Sequence, residues 1–360
     1  MQTFPARRLR RPALSPAALS WLALAVVYVV WGSTYLAIRV GVGHLPPLLM
    51  AGVRYLIAGG LLYPVARRAA ARDATRSSAP GAGQAPHPAA PGLRGPAPRS
   101  ARPGLRAWLA GAVVGLLLLV AGNGGLTVGE TTLPSGLAAV LVATVPLWMI
   151  VFGRVLQRQR ITLKSALALA VGLAGVAVLV GAAAGGDARG VIIVLGAAAA
   201  WGLGSVLSHR LALPAHAMLA AAIEMLVGGA VLLAIAAGAG EFSRIAWSAV
   251  PASSWIALAY LIGPGSILAF TAYGYALSHL PATTVSTYAY VNPVVAVLAG
   301  IVFLGERLTW HEGLGAALVV SSIVITLHRS ARVPEPTGAE GDSMITVVCL
   351  AKTGGNRPGS

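Results

Sequence analysis

Charge and cysteine are scarce in this chain, and both shortages narrow the classes of protein to which it can belong. Only 10% of its 360 residues are Asp, Glu, Lys or Arg, whereas soluble globular domains carry about a quarter. A chain that is 57% hydrophobic, with a mean hydropathy of +0.78, would leave too much apolar surface in water. The single cysteine, Cys349, excludes a disulfide framework and a cysteine-based metal site. The composition therefore favours an integral membrane protein.

Several catalytic and cofactor chemistries lack the residues that they need. Lys164 and Lys352 are the only lysines, so no apolar run offers a Schiff-base partner for retinal. Asp73, Asp187 and Asp342 all lie outside the apolar runs, which excludes an intramembrane aspartate pair for proteolysis. The chain has no Walker-type loop, and its histidines lack the spacing of metal ligands. We therefore expect no enzyme activity, no cofactor and no metal, and ATP is not expected to be the direct energy source.

Apolar runs of about 20 residues, the length of a membrane-spanning helix, recur along the chain. The first run extends from near Trp21 to Val42, which is too long for a cleavable signal peptide and indicates an uncleaved span. The sequence predicts ten spans, over residues 21–42, 47–66, 107–128, 135–154, 163–183, 190–209, 214–237, 253–277, 282–304 and 311–328.

Three segments are predicted to lie outside the membrane. Residues 1–20 form a basic arm, residues 69–105 are rich in Ala, Pro, Gly, Ser and Arg, and residues 330–360 are of similar composition. Because the second and third segments lack apolar periodicity, we expect a disordered loop and a disordered tail.

The distribution of Lys and Arg predicts the orientation. If the N-terminus is cytoplasmic, 21 of the 26 basic residues lie on the inner side and 4 on the outer side, with Arg54 inside a span. The positive-inside rule then places both termini in the cytoplasm. The net charge of +16 is explained by this topology, and nucleic acid is not an expected partner.

Two parts of the chain repeat each other. Trp31-Gly32 recurs as Trp201-Gly202, a shift of 170 residues, and Pro134 and Pro146 recur at a shift of 147. We therefore expect a first repeat over residues 21–183 and a second over 190–328, each with five spans. Because five is an odd number, the second repeat would be inverted in the membrane. Inverted repeats are typical of secondary transporters, whose substrate site lies between the halves.

Two ionisable residues lie inside predicted spans at equivalent positions of the two repeats. Arg54 and Glu224 differ by 170 residues and carry opposite charges. We hypothesise that Glu224 holds a cationic substrate group or a coupling proton, and that Arg54 modulates it or binds a carboxylate. The alternative is that each is a buried structural residue.

Other polar and aromatic side chains share helix faces inside the spans. Asn123 belongs to such a face of the third span, and the aromatic candidates could stack on a solute or contact a cation. Ordinary helix packing is the alternative for each of them. The remaining candidate site residues are Tyr28, Trp31, Trp201, Tyr290 and Asn292.

Several of these motifs resemble those of the EamA-type drug/metabolite transporters. The matching segments are residues 28–35, 46–55, 122–124, 142–147, 222–226, 288–297 and 305–306. The resemblance implies an all-α membrane protein with ten helices in two inverted EamA repeats, located in the bacterial inner membrane. It also implies export of small metabolites, such as amino acids, or of drug-like cations by alternating access.

The proposed exporter would exchange its substrate against protons, and its oligomeric state is left open. Gln159 departs from the family pattern, because the equivalent position in the second repeat is Glu306. A non-transporting membrane sensor or receptor on the same helical bundle is the alternative function. It would require a folded signalling domain, and the low-complexity tail argues against one.

Overall fold

A computed structural model describes residues 15–77, 103–158, 162–183, 188–285, 287–307 and 309–327. These residues form helices and the turns between them, without a β-strand. Residues 1–14 of the basic arm, residues 78–102 of the expected loop, Gln159 and the expected tail from residue 330 lie outside this description.

Fifteen α-helices follow one another in the described residues. Two π-helical segments, Leu116–Gly124 and Gly263–Leu268, join α3 to α4 and α11 to α12. The helices are α1 Pro16–Val42, α2 Pro47–Ser77, α3 Leu105–Gly115, α4 Gly125–Gly129, α5 Ser135–Val142, α6 Val145–Gln157, α7 Leu163–Ala183, α8 Ala188–Ser208, α9 Ala217–Gly238, α10 Glu241–Arg244, α11 Ala252–Ile262, α12 Ala269–His279, α13 Ala282–Val285, α14 Tyr288–Leu304 and α15 Trp310–Leu327.

Local sequence explains several helix ends. Ser15 caps α1 by accepting a hydrogen bond from the backbone N–H of Ala18, and Pro16 occupies the first helical position. Pro146 in the first turn of α6 separates that helix from α5.

Helix α2 continues to Ser77, nine residues into the stretch that we expected to be disordered from residue 69. The Ala- and Arg-rich composition of residues 69–77 explains this, because both residues favour helix.

Seven helical stretches of the described residues are long and apolar enough to cross a membrane. Three further helices are also apolar but shorter: Leu163–Leu179, Tyr288–Leu304 and Trp310–Ile325. Large apolar side chains cover the exterior: Leu163 is 87%, Val302 71% and Phe303 73% exposed. Such a surface suits lipid rather than water.

Helices α2 and α9 cross at glycines whose contacts are reciprocal. A β-carbon added at Gly59 would lie 3.1 Å from the carbonyl oxygen of Ala222, and one at Gly229 would lie 3.0 Å from that of Gly52. A shift of 170 residues converts the first contact into the second. Because later residues of α2 meet earlier residues of α9, the two helices run antiparallel.

The same reciprocity relates helices α1 and α14 to helices α8 and α6. A β-carbon added at Gly32 would lie 2.6 Å from Cβ of Val295, and one at Gly202 would lie 2.7 Å from Cβ of Trp148. Shifts of 170 and 147 residues interchange these two contacts.

Helices α7 and α15 pack through a third reciprocal pair. A β-carbon added at Gly175 would lie 3.0 Å from Cγ2 of Val319, and one at Gly172 would lie 3.2 Å from Cβ of Ser322. The shift of 147 residues again interchanges the contacts. Small residues thus bring the helix backbones together, as is common in membrane helix packing.

Backbone irregularities recur at the 147-residue shift as well. The two π-helical segments begin at Leu116 and Gly263, which are equivalent positions. The residues that directly follow α6 and α14 are Arg158 and Gly305, also equivalent positions, with φ angles of 53° and 65°. The repeat therefore extends to the breaks in the helices.

Candidate functional site

A cavity of about 440 Å³ lies between the two halves of the chain. Its walls come from helices α1, α2, α5 and α6, from the α3–α4 stretch, and from α8, α12 and α14. Its volume is that of a site for a small organic molecule.

Four aromatic side chains, which we call the aromatic cluster, form one wall of the cavity: Trp31, Phe270, Tyr273 and Tyr288. The Trp31 ring lies 5.4 Å from that of Phe270 and 5.2 Å from each tyrosine ring, and the two tyrosine rings are 5.7 Å apart. Mixed edge-on and tilted geometry of this kind is favourable for aromatic packing. The wall offers ring faces and edges to an apolar, aromatic or cationic group of a solute.

Arg54 supplies a buried positive charge to the same cavity. The residue is 5% exposed, its Nε donates to Oγ of Ser266 over 2.9 Å, and its guanidinium carbon lies 4.7 Å from the ring centre of Tyr55. Ser266 belongs to the second π-helical segment, where its hydroxyl donates to the carbonyl of Leu261. The second half of the chain therefore orients an arginine of the first half. A guanidinium held in this way is suited to binding a carboxylate.

Three further predicted site residues line the cavity. Asn123 is 8% exposed, and its backbone carbonyl accepts a hydrogen bond from the Thr127 hydroxyl. Asn292 is 6% exposed; with its amide nitrogen turned towards them, it donates to the carbonyls of Tyr28 and Tyr288 over 3.3 Å. Trp201 faces Gly122, where an added β-carbon would lie 3.0 Å from its ring.

The other predicted site residues lie away from the lining. The Tyr28 hydroxyl forms a hydrogen bond with that of Thr287, and Tyr290 packs against a buried apolar cluster. Glu224 is partly buried on α9, where its backbone faces Gly115. Their roles in binding or coupling stay predictions.

The two ends of the cavity differ. One end reaches Ser208 and His209, and we call it the Ser208 end. At a shift of 170 residues their equivalents are Ile38, which is 1% exposed in the core, and Arg39, whose guanidinium donates to the carbonyl of Glu130. We call this second end the Glu130 end. The repeats are therefore closed at the Glu130 end and separated at the Ser208 end.

Four residues of the site are not among the candidates named from the sequence: Ser266 and three members of the aromatic cluster, Phe270, Tyr273 and Tyr288. The i, i+3 spacing of Phe270 and Tyr273, and the i, i+4 spacing of Tyr288 and Asn292, place each pair on one helix face and are the signals that could have found the aromatic residues. Ser266 has no such signal, because only the π-helical turn brings it to Arg54. In the parts of the chain that the structure describes, no three His, Cys, Asp or Glu residues are grouped to hold a metal ion.

Comparison with known proteins identifies the family. The EamA-like transporter family matches residues 93–181 and again residues 188–328. This chain belongs to the EamA-like transporter family. The resemblance seen in the sequence motifs is therefore confirmed, and the first of the two matches begins well after the start of the expected first repeat.

EamA relatives align along most of the chain. The "Uncharacterized inner membrane transporter YedA" of Escherichia coli K12 is 40% identical over 84% of this chain and 89% of that protein. A "Probable amino-acid metabolite efflux pump" of Salmonella typhimurium LT2 is 25% identical over 87% of this chain and 97% of that protein.

A solved structure shares the fold. It is described only as "Crystal structure of protein" and has a TM-score of 0.52 at 20% identity, covering 89% of this chain and 100% of that one.

Proposed function

We propose that this EamA protein is a secondary active exporter of small metabolites in the bacterial inner membrane. The observation that carries the proposal is the cavity between the halves, with a buried guanidinium on one wall and an aromatic cluster on another. The relatives described as an inner membrane transporter and an amino-acid metabolite efflux pump support the same function.

The chemistry of the lining favours solutes of the amino-acid type. Arg54 would bind a carboxylate, while the aromatic cluster would contact an apolar or aromatic side chain. A cavity of about 440 Å³ accommodates a molecule of that size. A drug-like cation could use the aromatic cluster, but it would meet the like charge of Arg54.

The architecture of the proposal is ten crossings in two inverted repeats with both termini in the cytoplasm. The reciprocal glycine contacts and the antiparallel run of α2 and α9 support inversion. The excess of basic residues on one side supports the orientation. In this arrangement the Ser208 end faces the cytoplasm and the Glu130 end faces outward, so the molecule is in an inward-facing state. Rocking of one repeat against the other, driven by exchange with protons, would complete alternating access.

Solute flux measured in proteoliposomes tests the proposal. The purified full-length protein should accumulate radiolabelled phenylalanine when an imposed pH gradient favours exchange, and much less without a gradient. Unlabelled phenylalanine should compete, whereas phenylalanine amide should compete about tenfold less because it offers no carboxylate to Arg54. Equal competition by acid and amide would contradict the role of Arg54. Absence of gradient-driven flux across a panel of amino acids and cations would contradict the exporter.

A further inference from the structure

A buried carboxyl group at the Glu130 end has no role in the site described above. Glu130 follows α4 directly and is 0% exposed, and neither carboxyl oxygen has a hydrogen-bond partner among the described residues. The preceding Gly129 packs against α8, where an added β-carbon would lie 2.3 Å from Cγ2 of Val194. This close packing holds the carboxyl group inside the protein.

The charged and titratable groups around Glu130 come from three other parts of the chain. Helix α1 provides Tyr35 and Arg39, helix α2 provides Arg54, and Glu306 follows α14. Arg39 donates to the backbone carbonyl of Glu130.

Glu306 is already engaged elsewhere at this end. Its carboxylate accepts hydrogen bonds from the backbone N–H groups of Ser135 and Gly136 and from the Ser135 hydroxyl. Glu130 therefore has a second carboxylate nearby, and that carboxylate is committed to the first turn of α5.

The protonation state that fits this arrangement is the neutral one. An ionised carboxylate that is buried without hydrogen bonds costs several kcal/mol, by the general rule for buried charges. Burial raises the pKa of Glu130 well above its usual range, and Glu306 raises it further, while Arg39 and Arg54 act in the opposite direction. If the Glu130 end opened, water would reach the carboxyl group and its proton would be released.

We propose that Glu130 is a proton-binding site that controls closure of the cavity at the Glu130 end. The carboxyl group takes up a proton from water as this end closes, and returns it to water as this end opens. By linkage, a low pH on that side favours the closed arrangement. This inference rests on the proposed function in one respect: the proposed orientation places the Glu130 end on the outer side of the membrane. Because the proton returns to the side from which it came, this site controls closure and does not itself carry protons across the membrane.

Cysteine accessibility in spheroplasts tests the proposal without a measurement of solute flux. In a full-length Cys349→Ser background, Ala139→Cys places a thiol on the cavity wall at a position that is 0% exposed in this closed state. Labelling by a membrane-impermeant maleimide is measured as the external pH is lowered from about 8 to about 6. Ser243→Cys, at an exposed position of α10, corrects for the pH dependence of the thiol itself.

The corrected labelling at position 139 should fall by about fivefold or more over this pH range, since a one-proton equilibrium changes by at most about tenfold per pH unit. Glu130→Gln, which mimics the protonated form, should give low labelling at every pH. Glu130→Asp should keep the pH dependence with a shifted midpoint. Glu312→Gln removes a carboxylate from the start of α15 and should behave as the parent.

Labelling of the parent that does not change with pH would overturn the proposal, as would parental pH dependence in Glu130→Gln. If Glu130→Gln does not reach the membrane, an unshifted midpoint in Glu130→Asp has the same meaning. Because the readout is thiol accessibility and not solute flux, failure to find an exported metabolite would count against the proposed function and leave the accessibility result intact.

Discussion

The two halves of this EamA protein pack with equivalent backbones and present different side chains to the cavity. Gly59 and Gly229 make interchangeable contacts across α2 and α9. On the same two helices, Arg54 lines the cavity, whereas Glu224, its equivalent at the 170-residue shift, does not.

The comparison separates two roles within the repeat. Close helix approach requires small residues, so it constrains the glycines of both halves in the same way. A side chain that lines the cavity has no matching requirement, so the halves are free to differ there. Substitution of equivalent positions in pairs tests this separation.

The largest contrast is expected between the two ionisable residues. Arg54→Gln should lower the rate of transport by about 50-fold or more, because a charge-assisted contact with the substrate carboxylate is lost. Glu224→Gln should lower it by less than about fivefold if contact with the cavity decides the effect. Initial rates in proteoliposomes measure both, with Arg67→Gln, an exposed arginine of α2, as the control. A larger loss in Glu224→Gln would instead support the coupling role that the sequence suggests for that residue.

The crossing glycines should respond equally to substitution. Gly59→Ala and Gly229→Ala should each destabilise the protein by about 1–3 kcal/mol, because the added methyl group overpacks a backbone contact. Gly60→Ala is the matched control, since a β-carbon added there meets no atom within 4 Å. Thermal unfolding in detergent measures the change. If only one of the two substitutions lowered the stability, the contacts of Gly59 and Gly229 would not be equivalent.

Glu306, which follows α14 in the second half, should stabilise the first half of the chain. Gly305 has a φ of 65°, and the turn directs Glu306 onto the N-terminus of α5, where it accepts three hydrogen bonds. Glu306→Ala should cost about 1–2 kcal/mol through loss of this cap. Glu312→Ala, which removes an exposed cap at Thr309, should cost less in the same unfolding assay. Equal losses would mean that the contact between halves adds nothing.

The smallest effect is expected just after α6 and α14, where Arg158 and Gly305 have the same left-handed backbone conformation. Arg158 has a φ of 53°, a region that disfavours side chains with a β-carbon. Arg158→Gly should stabilise the protein by about 0.5–1 kcal/mol, and Gly305→Arg should destabilise it by a similar amount. Midpoints of thermal unfolding compare the two. Destabilisation by Arg158→Gly would show that the arginine makes a contact that outweighs the backbone strain.

Much of the fold could be predicted, because the sequence features that specify it are either local, as the apolar runs are, or repeated between the two halves. Apolar runs predicted where the helices lie, and the shifts of 170 and 147 residues relate the positions at which glycines of one half contact residues of the other. The length of α2 was underestimated, since helix propensity continues beyond the apolar run.

The site was predicted only in part. Trp31, Arg54 and Asn123 line the cavity, and their roles in binding stay predictions. Arg54 and Glu224 are equivalent positions of the two repeats, and of the two only Arg54 is among the residues that line the cavity. Sequence symmetry relates positions, but it does not determine which face of a helix opens onto the space between the repeats.

By itself, the sequence determined the membrane environment, the repeated unit and the family, because hydrophobicity, period and motif are properties of residue order. Only the tertiary structure decided which end of the cavity is closed. The same position of the repeat is buried in the first half, at Ile38, and lines the cavity in the second half, at Ser208. The physical reason is that closure is a contact between distant helices. Equivalent residues are present in both halves, so residue order alone does not decide where that contact forms.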